Sequence, residues 1–430
     1  MFDKFKKLYT LYKILRTKEI TTVPIEVLNK LPAKRLPDKI FDEIKQKKSF
    51  IPFKTLVYMY NWLKNETITQ MLDGRYVINA FLPPMPGKGH DRMFVNMLSG
   101  RKISPVSAYI AITSKCCYNC WHCSYKNRSG EDLTYNQISD LIDQLLSIGT
   151  SIIGITGGEP TLREDLVEII EKASAETDCM LFTNGVNFTE DLAIKLKKAG
   201  LWAVAISVDS HIPDIHNKKR SNEKAYETAI RAIKLSNKYS FYTMLTTVPD
   251  MEILKDGTYK EIYKLATDLQ VDEYRIVEPM PTGKLIDCNN CFLDNTLRDE
   301  IKDFHKQINK RNLKPKVCSF ALVESGEYFG CCAGTMHLFI DSFGNVCPCD
   351  FTPLSFGNIK EIPLKEAWKR LNEAFKLPRY NCFIQENYNI IRKYYKGTLP
   401  ISFENIEEIF KEVPESDLPA YFKHVLSRRN

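Results

Sequence analysis

The chain is predicted to adopt an α/β fold, because strand patterns and helix patterns alternate along its central part. Six short apolar runs rich in β-branched and aromatic residues each have the length of a buried strand. These runs span residues 107–113, 151–156, 179–183, 203–208, 241–248 and 273–278. Amphipathic segments separate them, as helices do when they connect parallel strands by right-handed crossovers. The pattern therefore predicts a parallel sheet covered by helices.

The connecting segments have the periodicity of helices that pack against a sheet. In the first connection, five aliphatic residues recur at helical spacing: Ile138, Leu141, Ile142, Leu145 and Leu146. Residues three and four apart lie on one face of a helix, so this segment presents an apolar stripe. A further helix is predicted to start within residues 222–227, ahead of the run at 241–248. Residues 78–106, which are rich in proline and glycine, are predicted to be a linker into the first strand of the sheet.

Length and composition indicate a globular protein of two or three parts. The chain has 430 residues, of which 44% are hydrophobic, an ordinary share for a globular protein. No uninterrupted apolar run approaches the roughly 18 residues of a membrane span, and the N-terminus does not resemble a secretory signal. We therefore predict a cytoplasmic protein. Its 13 cysteines are expected to bind metal or serve catalysis, as is common in long cytosolic chains.

Three cysteines directly after the first predicted strand form the most specific motif of the sequence. Cys116, Cys120 and Cys123 have the spacing CxxxCxxC. Thiolates are the usual ligands of four-iron clusters, and three ligands for four irons leave one iron open to a small molecule. A zinc site would more naturally use two CxxC pairs or four protein ligands, and the nearby sequence offers neither. The motif therefore indicates an iron–sulfur cluster with an open iron.

The cysteine motif and the segment after the next strand together resemble the radical S-adenosylmethionine (radical SAM) superfamily. The next strand is followed by a segment similar to the GGEP motif of that family: Gly157, Gly158, Glu159 and Pro160. Glycines allow the close backbone approach that a tight ligand turn requires. The resemblance implies that this segment holds the amino group of SAM. The amino and carboxylate groups of the methionine moiety would then chelate the open iron.

Three further segments match the resemblance at the ends of later strands. Asn184, within Thr-Asn-Gly, and the pair Ser207 and Asp209 resemble family segments that line the ribose and methionine of SAM. His216 and Arg220 stand where many members have a similar pair, and Arg220 is the better candidate for cofactor binding. No segment near the fifth strand matches the family's glycine-rich motif, so the contacts of the adenine stay unassigned.

The resemblance implies a fold, cofactors and a reaction. The fold would be a partial (β/α)6 TIM-like barrel with its site at the carboxyl ends of the strands. The cofactors would be a [4Fe-4S] cluster with an open site and S-adenosyl-L-methionine, and the electron would come from a flavodoxin- or ferredoxin-type donor. Reductive cleavage of SAM would give a 5′-deoxyadenosyl radical that takes hydrogen from an unactivated C–H bond. Such chemistry needs no side-chain nucleophile, and no catalytic side chain is assigned.

A second group of cysteines resembles the opening of a SPASM or Twitch extension. Eleven residues separate Cys332 from Gly344, and four more separate Gly344 from Cys349, while Cys382 is the remaining cysteine downstream. The apolar run 338–340 and the turn after it predict a hairpin in which glycine supplies a positive φ. The resemblance implies one auxiliary iron–sulfur cluster held by Cys332, Cys349 and Cys382. The fourth ligand would be one of three further cysteines: Cys331, Cys347 or Cys318.

The remaining cysteines have simpler interpretations. Cys179 lies inside a predicted strand and is expected to be a small buried hydrophobe. Cys288 and Cys291 form a CxxC pair in a polar loop, either a metal clip or, as we favour, a pair without function. Cys117 is expected to face away from the cluster. His122 could tune the cluster by hydrogen bonding, but an ordinary loop position is favoured.

These observations divide the chain into four predicted parts. They are a helical N-terminal extension at 1–104, a radical SAM partial barrel at 105–285, a small α+β Twitch/SPASM-like domain at 286–385 and a helical C-terminal tail at 386–430.

The substrate is predicted chiefly from the N-terminal residues. Residues 1–18 form a basic amphipathic pattern, and residues 53–63 are rich in aromatics. Such a helix can lie on an anionic membrane surface, or it can pack on the barrel with its lysines solvated. We therefore favour a membrane lipid tail as the substrate, with peripheral binding at the inner face of the membrane.

Three other interpretations remain open. The chain could be a peptide or protein maturase, an enzyme of small-molecule biosynthesis, or a non-catalytic iron–sulfur electron carrier. The net charge of +7 favours an anionic partner only weakly. No nucleic-acid partner is expected, because the basic residues are spread along the chain without a recognisable binding module.

Overall fold

The computed structural model describes residues 66–99, 104–289 and 291–426 of the chain. Its described strands in chain order are β1 (Thr69–Gln70), β2 (Tyr76–Val77), β3 (Ser107–Ala111), β4 (Ile152–Thr156), β5 (Asp178–Thr183), β6 (Ala203–Ser207), β7 (Tyr242–Thr247), β8 (Glu273–Ile276), β9 (Lys316–Ser319), β10 (His337–Ile340) and β11 (Val346–Cys347). Strands β3 to β8 lie within the six predicted runs or extend them by one residue, so the predicted alternation is confirmed.

Helices connect and cover these strands. The described helices are α1 (Lys88–Ser99), α2 (Tyr135–Ile148), α3 (Leu166–Ser174), α4 (Glu190–Lys198), α5 (Pro213–Arg220), α6 (Ala225–Lys238), α7 (Met251–Lys255), α8 (Tyr259–Asp268), α9 (Asn295–Lys310), α10 (Phe320–Val323), α11 (Leu364–Ala374), α12 (Phe383–Lys393), α13 (Ile406–Glu412) and α14 (Ala420–Leu426). No helix in these described ranges is long and apolar enough to cross a membrane.

The principal sheet contains nine strands in the order β11-β10-β3-β4-β5-β6-β7-β8-β9. Every neighbouring pair from β10 to β9 is parallel, and only the hairpin β10–β11 is antiparallel. The predicted hairpin is therefore confirmed, with Gly344 at φ +96° in its turn. The sequence did not reveal that this hairpin extends the main sheet beside β3.

The sheet curves into the partial barrel that was expected. Arg275 on β8 lies 5.6 Å from the ring of Phe182 on β5. Three strand spacings in a flat sheet would separate these positions by about 14 Å. Alternate residues of each strand accordingly enter two apolar cores, one between the sheet and its helices and one inside the barrel.

The helix α2 illustrates how local sequence fixes the element boundaries. Thr134 accepts a hydrogen bond from the backbone N–H of Gln137, whose side chain accepts one from the Thr134 backbone. This capping box satisfies two N–H groups that would otherwise have no partner. Gly149 ends the helix in the left-handed conformation at φ +98°. The aliphatic stripe predicted for this helix is buried, apart from the partly buried Leu146.

The predicted linker at 78–106 contains a helix, α1, so that prediction was wrong for residues 88–99. Three of the four prolines of the segment, Pro83, Pro84 and Pro86, precede α1, and Pro105 follows it. Proline before a helix costs no intrahelical hydrogen bond, so its presence there does not argue against one. The predicted amphipathic segments at 1–18 and 53–63 lie outside the described residues.

A buried lysine joins the segment before α1 to the barrel. Lys316 on β9 is 1% exposed, and its ammonium group donates to the carbonyls of Thr67, Val77 and Ile78 at 3.3, 2.7 and 3.0 Å. The hairpin β1–β2 is thereby attached at the amino-terminal end of β9.

Candidate active site

The loop between β3 and α2 carries the three cysteines of the CxxxCxxC motif. Cys116 is exposed, while Cys120 and Cys123 are half-buried. Two side chains from other loops approach these sulfurs: Asn184 Nδ2 lies 3.9 Å from Cys116 Sγ, and Arg220 Nη1 lies 3.6 Å from Cys120 Sγ. Donors aimed at sulfur suit thiolate ligands, which carry negative charge.

A set of three cysteine thiolates fits an iron–sulfur cluster chemically. Among the described residues, no three His, Cys, Asp or Glu side chains are grouped so that they could hold one ion. Each cysteine of a four-iron cluster binds a different iron, so its sulfurs stand further apart than the ligands of one ion. Cys116, Cys120 and Cys123 would hold such a cluster here.

The GGEP-like segment after β4 packs directly on the cysteine loop. The backbone N–H of Gly158 donates to Thr113 O at 2.7 Å, and that of Glu159 donates to Lys115 O at 2.8 Å. A Cβ atom at Gly157 would lie 2.5 Å from Thr113 O, and one at Gly158 would lie 2.2 Å from Lys115 O. Glycine is therefore required at both positions for this approach.

Glu159 ties the end of β4 to the end of β5. Its side chain is buried, and Oε1 accepts hydrogen bonds from the hydroxyls of Thr161 and Thr183 at 2.6 and 2.5 Å. Oε2 accepts the backbone N–H of Asn184 at 2.7 Å. Burial raises the pKa of Glu159, and these donors oppose that effect. The partners Thr161 and Thr183 were missed in the sequence, because only the folded chain brings them to this carboxylate.

Asp209 is fully buried at the end of β6 and pairs with Arg220. Arg220 Nε lies 2.7 Å from Asp209 Oδ2, and the backbone N–H of Asp209 donates to His216 Nδ1 at 3.0 Å. Burial alone would raise the pKa of Asp209, but Arg220, His122, His216 and the Val248 N–H together outweigh that effect and lower the pKa to about 2. The carboxylate is thus charged at neutral pH, and Arg220 connects it to the cysteine loop through Cys120.

His122, between two of the cysteines, faces this ion pair. Its Nδ1 is 3.9 Å from Asp209 Oδ2 and has no hydrogen-bond partner in the described part of the chain. Burial lowers the pKa of His122 to about 4, so the ring is neutral at pH 7. The structure therefore places His122 on the inner side of the loop, where the sequence favoured an ordinary loop position.

Most of the predicted cofactor-binding residues thus meet at one end of the sheet. Gly157, Gly158, Asn184 and Asp209 surround the cysteine loop through the contacts above. Pro160 starts a short 3₁₀ turn after Glu159. Ser207 is the last residue of β6 and is half-buried on the inner face of the barrel. This end of the sheet is the carboxyl end, where barrel enzymes place their sites.

The second group of cysteines also comes together. The thiols of Cys331 and Cys382 are neighbours, and their interaction lowers the pKa of Cys331 although burial opposes it. Cys331 also interacts electrostatically with Cys332 and Cys349. The three sulfurs predicted as auxiliary ligands therefore share one region with Cys331.

The other two candidates for the fourth auxiliary ligand lie elsewhere. Cys347 is buried on the inner face of the barrel, with its sulfur 3.8 Å from Arg128 Nη1. Cys318, also buried, lies near Glu273 and Arg275.

The CxxC pair at Cys288 and Cys291 is joined by a disulfide bond. Arg392 of α12 holds this loop by donating to Ile286 O at 2.9 Å and to Asn289 Oδ1 at 2.7 Å. The two interpretations considered from the sequence, a metal clip and a pair without function, did not include this bond. The prediction for Cys179 is confirmed, since it is buried in β5, and Cys117 is exposed.

Comparison with protein families gives two matches. Residues 110–266 match the model of the radical SAM superfamily, and residues 331–392 match SPASM, described as an iron–sulfur cluster-binding domain. The first match contains the cysteine loop, the GGEP-like segment, Asp209 and Arg220. The second contains Cys331, Cys332, Cys349 and Cys382.

Two curated relatives match more than 60% of the chain, and a third matches slightly under half of it. An AdoMet-dependent heme synthase of Methanosarcina barkeri is 27% identical over 290 residues, or 62% of this chain and 82% of the relative. The heme synthase of Oleidesulfovibrio alaskensis is 26% identical over 64% of this chain and 77% of its own length. A probable GTP 3′,8-cyclase of Methanococcus aeolicus is 30% identical over 47% of this chain and 64% of the relative.

Solved structures share the fold. Streptococcus suis SuiB bound to S-adenosylmethionine has a TM-score of 0.54 at 15% identity, covering 72% of this chain and 79% of SuiB. The structure of SuiB bound to the precursor peptide SuiA has a TM-score of 0.52 at 17% identity, covering 65% and 68%. These identities support the common architecture alone.

Proposed function

The chain belongs to the radical SAM superfamily and carries a SPASM domain, and from this premise we propose that it abstracts hydrogen from an unactivated C–H bond of a small molecule held inside the barrel. As a radical SAM enzyme it uses a [4Fe-4S] cluster with an open site, SAM and an auxiliary iron–sulfur cluster. The electron would come from a flavodoxin- or ferredoxin-type protein.

The contacts of the Arg220 guanidinium are the observation that best supports this function. The guanidinium pairs with Asp209 at the end of β6 and donates to Cys120 in the cysteine loop. The residues proposed to hold the cluster and those proposed to hold SAM are thus fixed relative to one another. When bound and reduced, the cluster would supply the electron for reductive cleavage of SAM. The chain's own residues orient the cofactor and exclude water from the barrel.

The contacts of individual residues suggest how SAM would be held. Asn184 and Asp209 stand beside the cysteine loop, where the methionine moiety would bind the open iron. Ser207 faces the barrel interior and would line the ribose. Gly157 and Gly158 bring the backbone close enough to the cysteine loop to receive the amino group of SAM. These assignments are proposals that the contacts support.

The sequence relatives favour a small molecule as the substrate. The relatives described above are named as synthases of heme and cyclases of GTP, and both reactions act on small molecules. The lipid tail predicted from the sequence depended on residues 1–18 and 53–63, which lie outside the described residues. The lipid and membrane proposals therefore keep only their sequence support, and a peptide substrate is the other alternative.

The test measures 5′-deoxyadenosine formed by the purified, anaerobically reconstituted chain with dithionite as the reductant. The Cys116→Ala, Cys120→Ala, Cys123→Ala variant is the control and should form none. We expect a low-molecular-mass cell extract to raise the rate above that of SAM alone. Stimulation by extracted lipid only, or by peptides only, would replace the small-molecule proposal, and absence of cleavage would contradict the function itself.

We also propose Cys331 as the fourth ligand of the auxiliary cluster, beside Cys332, Cys349 and Cys382. Its thiol interacts with that of Cys382, whereas Cys347 contacts Arg128 and Cys318 lies near Arg275. Iron analysis and electron paramagnetic resonance should show loss of the auxiliary cluster signal in Cys331→Ala. Cys347→Ala is the matched control and should keep it. The reverse result would move the ligand to Cys347.

A further inference from the structure

Three residues on neighbouring strands form a row on the inner face of the barrel. Ser207 on β6 is paired with Thr246 on β7, and Thr246 is paired with Arg275 on β8. Paired residues of adjacent parallel strands point to the same side of a sheet. Met244 and Ala205, two residues earlier on their strands, belong to the core inside the barrel, so the row also faces inwards.

Arg275 is a buried cation without a close counter-ion. Its side chain is 1% exposed, and its Nε has no hydrogen-bond partner among the described residues. The nearest carboxylate oxygen in an ion pair, Glu273 Oε1, is 3.9 Å away. The other oxygen of Glu273 already accepts the Ala80 N–H at 3.2 Å and the Tyr242 hydroxyl at 2.9 Å. Glu273 therefore does not complete the hydrogen bonding of the guanidinium.

The surroundings of the guanidinium are mainly aromatic. The rings of Phe81, Phe182 and Phe320 lie 5.1, 5.6 and 5.5 Å from Arg275 Cζ. Ring faces stabilise a cation partly, but they do not replace hydrogen bonds to N–H groups. Tyr109 and Glu324 are within electrostatic reach and lie on the side of the auxiliary cysteines. A buried cation whose N–H groups lack hydrogen-bond acceptors lowers the stability of the fold unless a bound molecule supplies those acceptors.

The neighbouring residue Thr246 also has a polar group that lacks a hydrogen-bond partner among the described residues. Its hydroxyl oxygen is buried and has no hydrogen-bond partner within the described ranges. Thr246 and Ser207 are nevertheless half-buried, whereas the residues before them on the inner face are buried. The row therefore begins at accessible space beside the SAM site and ends at a desolvated cation. Two donors on adjacent strands, the Thr246 hydroxyl and the Arg275 Nε–H, thus have no hydrogen-bond partner in the described part of the chain, while Arg275 Nη1 has only the weak acceptor Met244 Sδ at 4.0 Å.

We propose that Arg275 anchors a carboxylate of the substrate, with Thr246 as a second donor, so that the substrate is a carboxylate-bearing small molecule. This inference rests on the proposed function and adds the chemical class of the substrate to it. A planar guanidinium binds a carboxylate through two parallel hydrogen bonds, which fixes orientation as well as position. The body of the molecule would lie along the row, bringing its C–H bond towards Ser207 and the SAM site.

The test compares two probes that differ in charge and little in shape, 2-naphthoate and 2-naphthamide. Their binding to the reconstituted holoenzyme is measured anaerobically by fluorescence titration in the presence of SAM. We expect the wild-type chain to bind the naphthoate about tenfold more tightly than the amide, as a buried charged hydrogen bond implies. Arg275→Gln should abolish this preference, and Arg275→Lys should keep part of it.

A surface variant, Arg311→Gln, is the matched control and should bind both probes as the wild type does. Should Arg275→Gln fail to fold, Thr246→Val provides the second variant, with an expected loss of about threefold in naphthoate affinity. Equal affinity of the wild type for both probes, or binding of neither, would overturn the proposal. Reductive SAM cleavage is measured separately, so a failure of the proposed function would be seen there and not in the probe titration.

Discussion

At the residue scale, the charge balance at the site depends on Arg220. Its guanidinium is 7% exposed, and the Asp209 carboxylate it pairs with is fully buried. Each ion compensates the charge of the other in a buried region. Removing the cation alone would leave a buried carboxylate with only the Val248 N–H as its remaining donor in the described part of the chain.

We therefore predict that Arg220→Met destabilises the fold by about 3–5 kcal/mol, the range for breaking a buried ion pair from one side. Adding Asp209→Asn should restore a large part of that loss, because the unpaired charge is then absent. Anaerobic denaturant unfolding of the wild type, both single variants and the double variant measures the coupling. Additive losses in the double variant would show that the two side chains do not act as a pair.

Single residues also show what the sequence could and could not reveal. The three cysteines of the cluster loop were recognisable because their spacing is local. The partners of Glu159, by contrast, come from a turn and from the end of another strand, and no local pattern joins them. Arg275 lies in a run that predicted a strand, but its isolation depends on which strands close the barrel. Charge compensation depends on which residues the fold brings together, so it could not be predicted from the sequence.

At the element scale, the loop after β8 supports the cysteine loop. The backbone N–H of Lys284 donates to Cys123 O at 3.0 Å, and Asn127 Nδ2 donates to Gly283 O at 2.9 Å. Gly283 has φ +57°, and a Cβ atom there would lie 2.3 Å from Cys123 O. The two loops can approach this closely only with glycine at 283.

Gly283→Ala should therefore displace the cysteine loop and weaken its hold on the cluster. Gly257→Ala is a matched control, since Gly257 also has a positive φ, +77°, but a Cβ atom there would meet nothing within 4 Å. Both variants lose about 1 kcal/mol because alanine is disfavoured at positive φ. A difference between them therefore reports the contact of residue 283 with the cysteine loop. We expect Gly283→Ala alone to lose cluster absorbance faster in the presence of a chelator. Equal rates of loss would mean that the loop contact does not support the cluster.

Most of the strands were predicted from their apolar content. The runs that became β3 to β7 are mainly apolar, because helices cover one face and the barrel interior the other, whereas β8 carries the charged residues Glu273 and Arg275. Strand β9 begins with a lysine and β11 is two residues long, so neither shows an apolar pattern that could be recognised in the sequence. Their place in the sheet follows from tertiary pairing.

At the scale of the whole molecule, Lys316 links the earliest described segment to a late strand of the barrel. Burial lowers the pKa of Lys316 to about 8, although Glu273 opposes the effect. The unfolded chain would keep this lysine protonated up to about pH 10.4. Between these two values the unfolded state binds the additional proton, so the contribution of Lys316 to the free energy of unfolding increases with pH.

We predict that the stability difference between the wild type and Lys316→Met widens as pH rises from 8 to 10. The expected change is about 2–3 kcal/mol in favour of the wild type, from the size of the pKa shift. Taking the difference cancels the titration of cysteines and tyrosines that both chains share. Denaturant unfolding at pH 7, 8, 9 and 10 provides the measurement. A constant difference across this range would show that Lys316 keeps the pKa of a solvated lysine in the folded chain.

Because β10 pairs with β3, the regions proposed to hold the two iron–sulfur clusters share one continuous sheet. A chain cut before residue 331 would expose the whole length of β3, whose residues from Ala108 to Ala111 are buried in the intact protein. An uncovered apolar edge recruits other strands, so the shortened barrel would be prone to assemble through it. A related protein that lost the second cluster would still need the hairpin to cover the edge of β3. The four cysteines could therefore be lost more easily in evolution than the strands beside them.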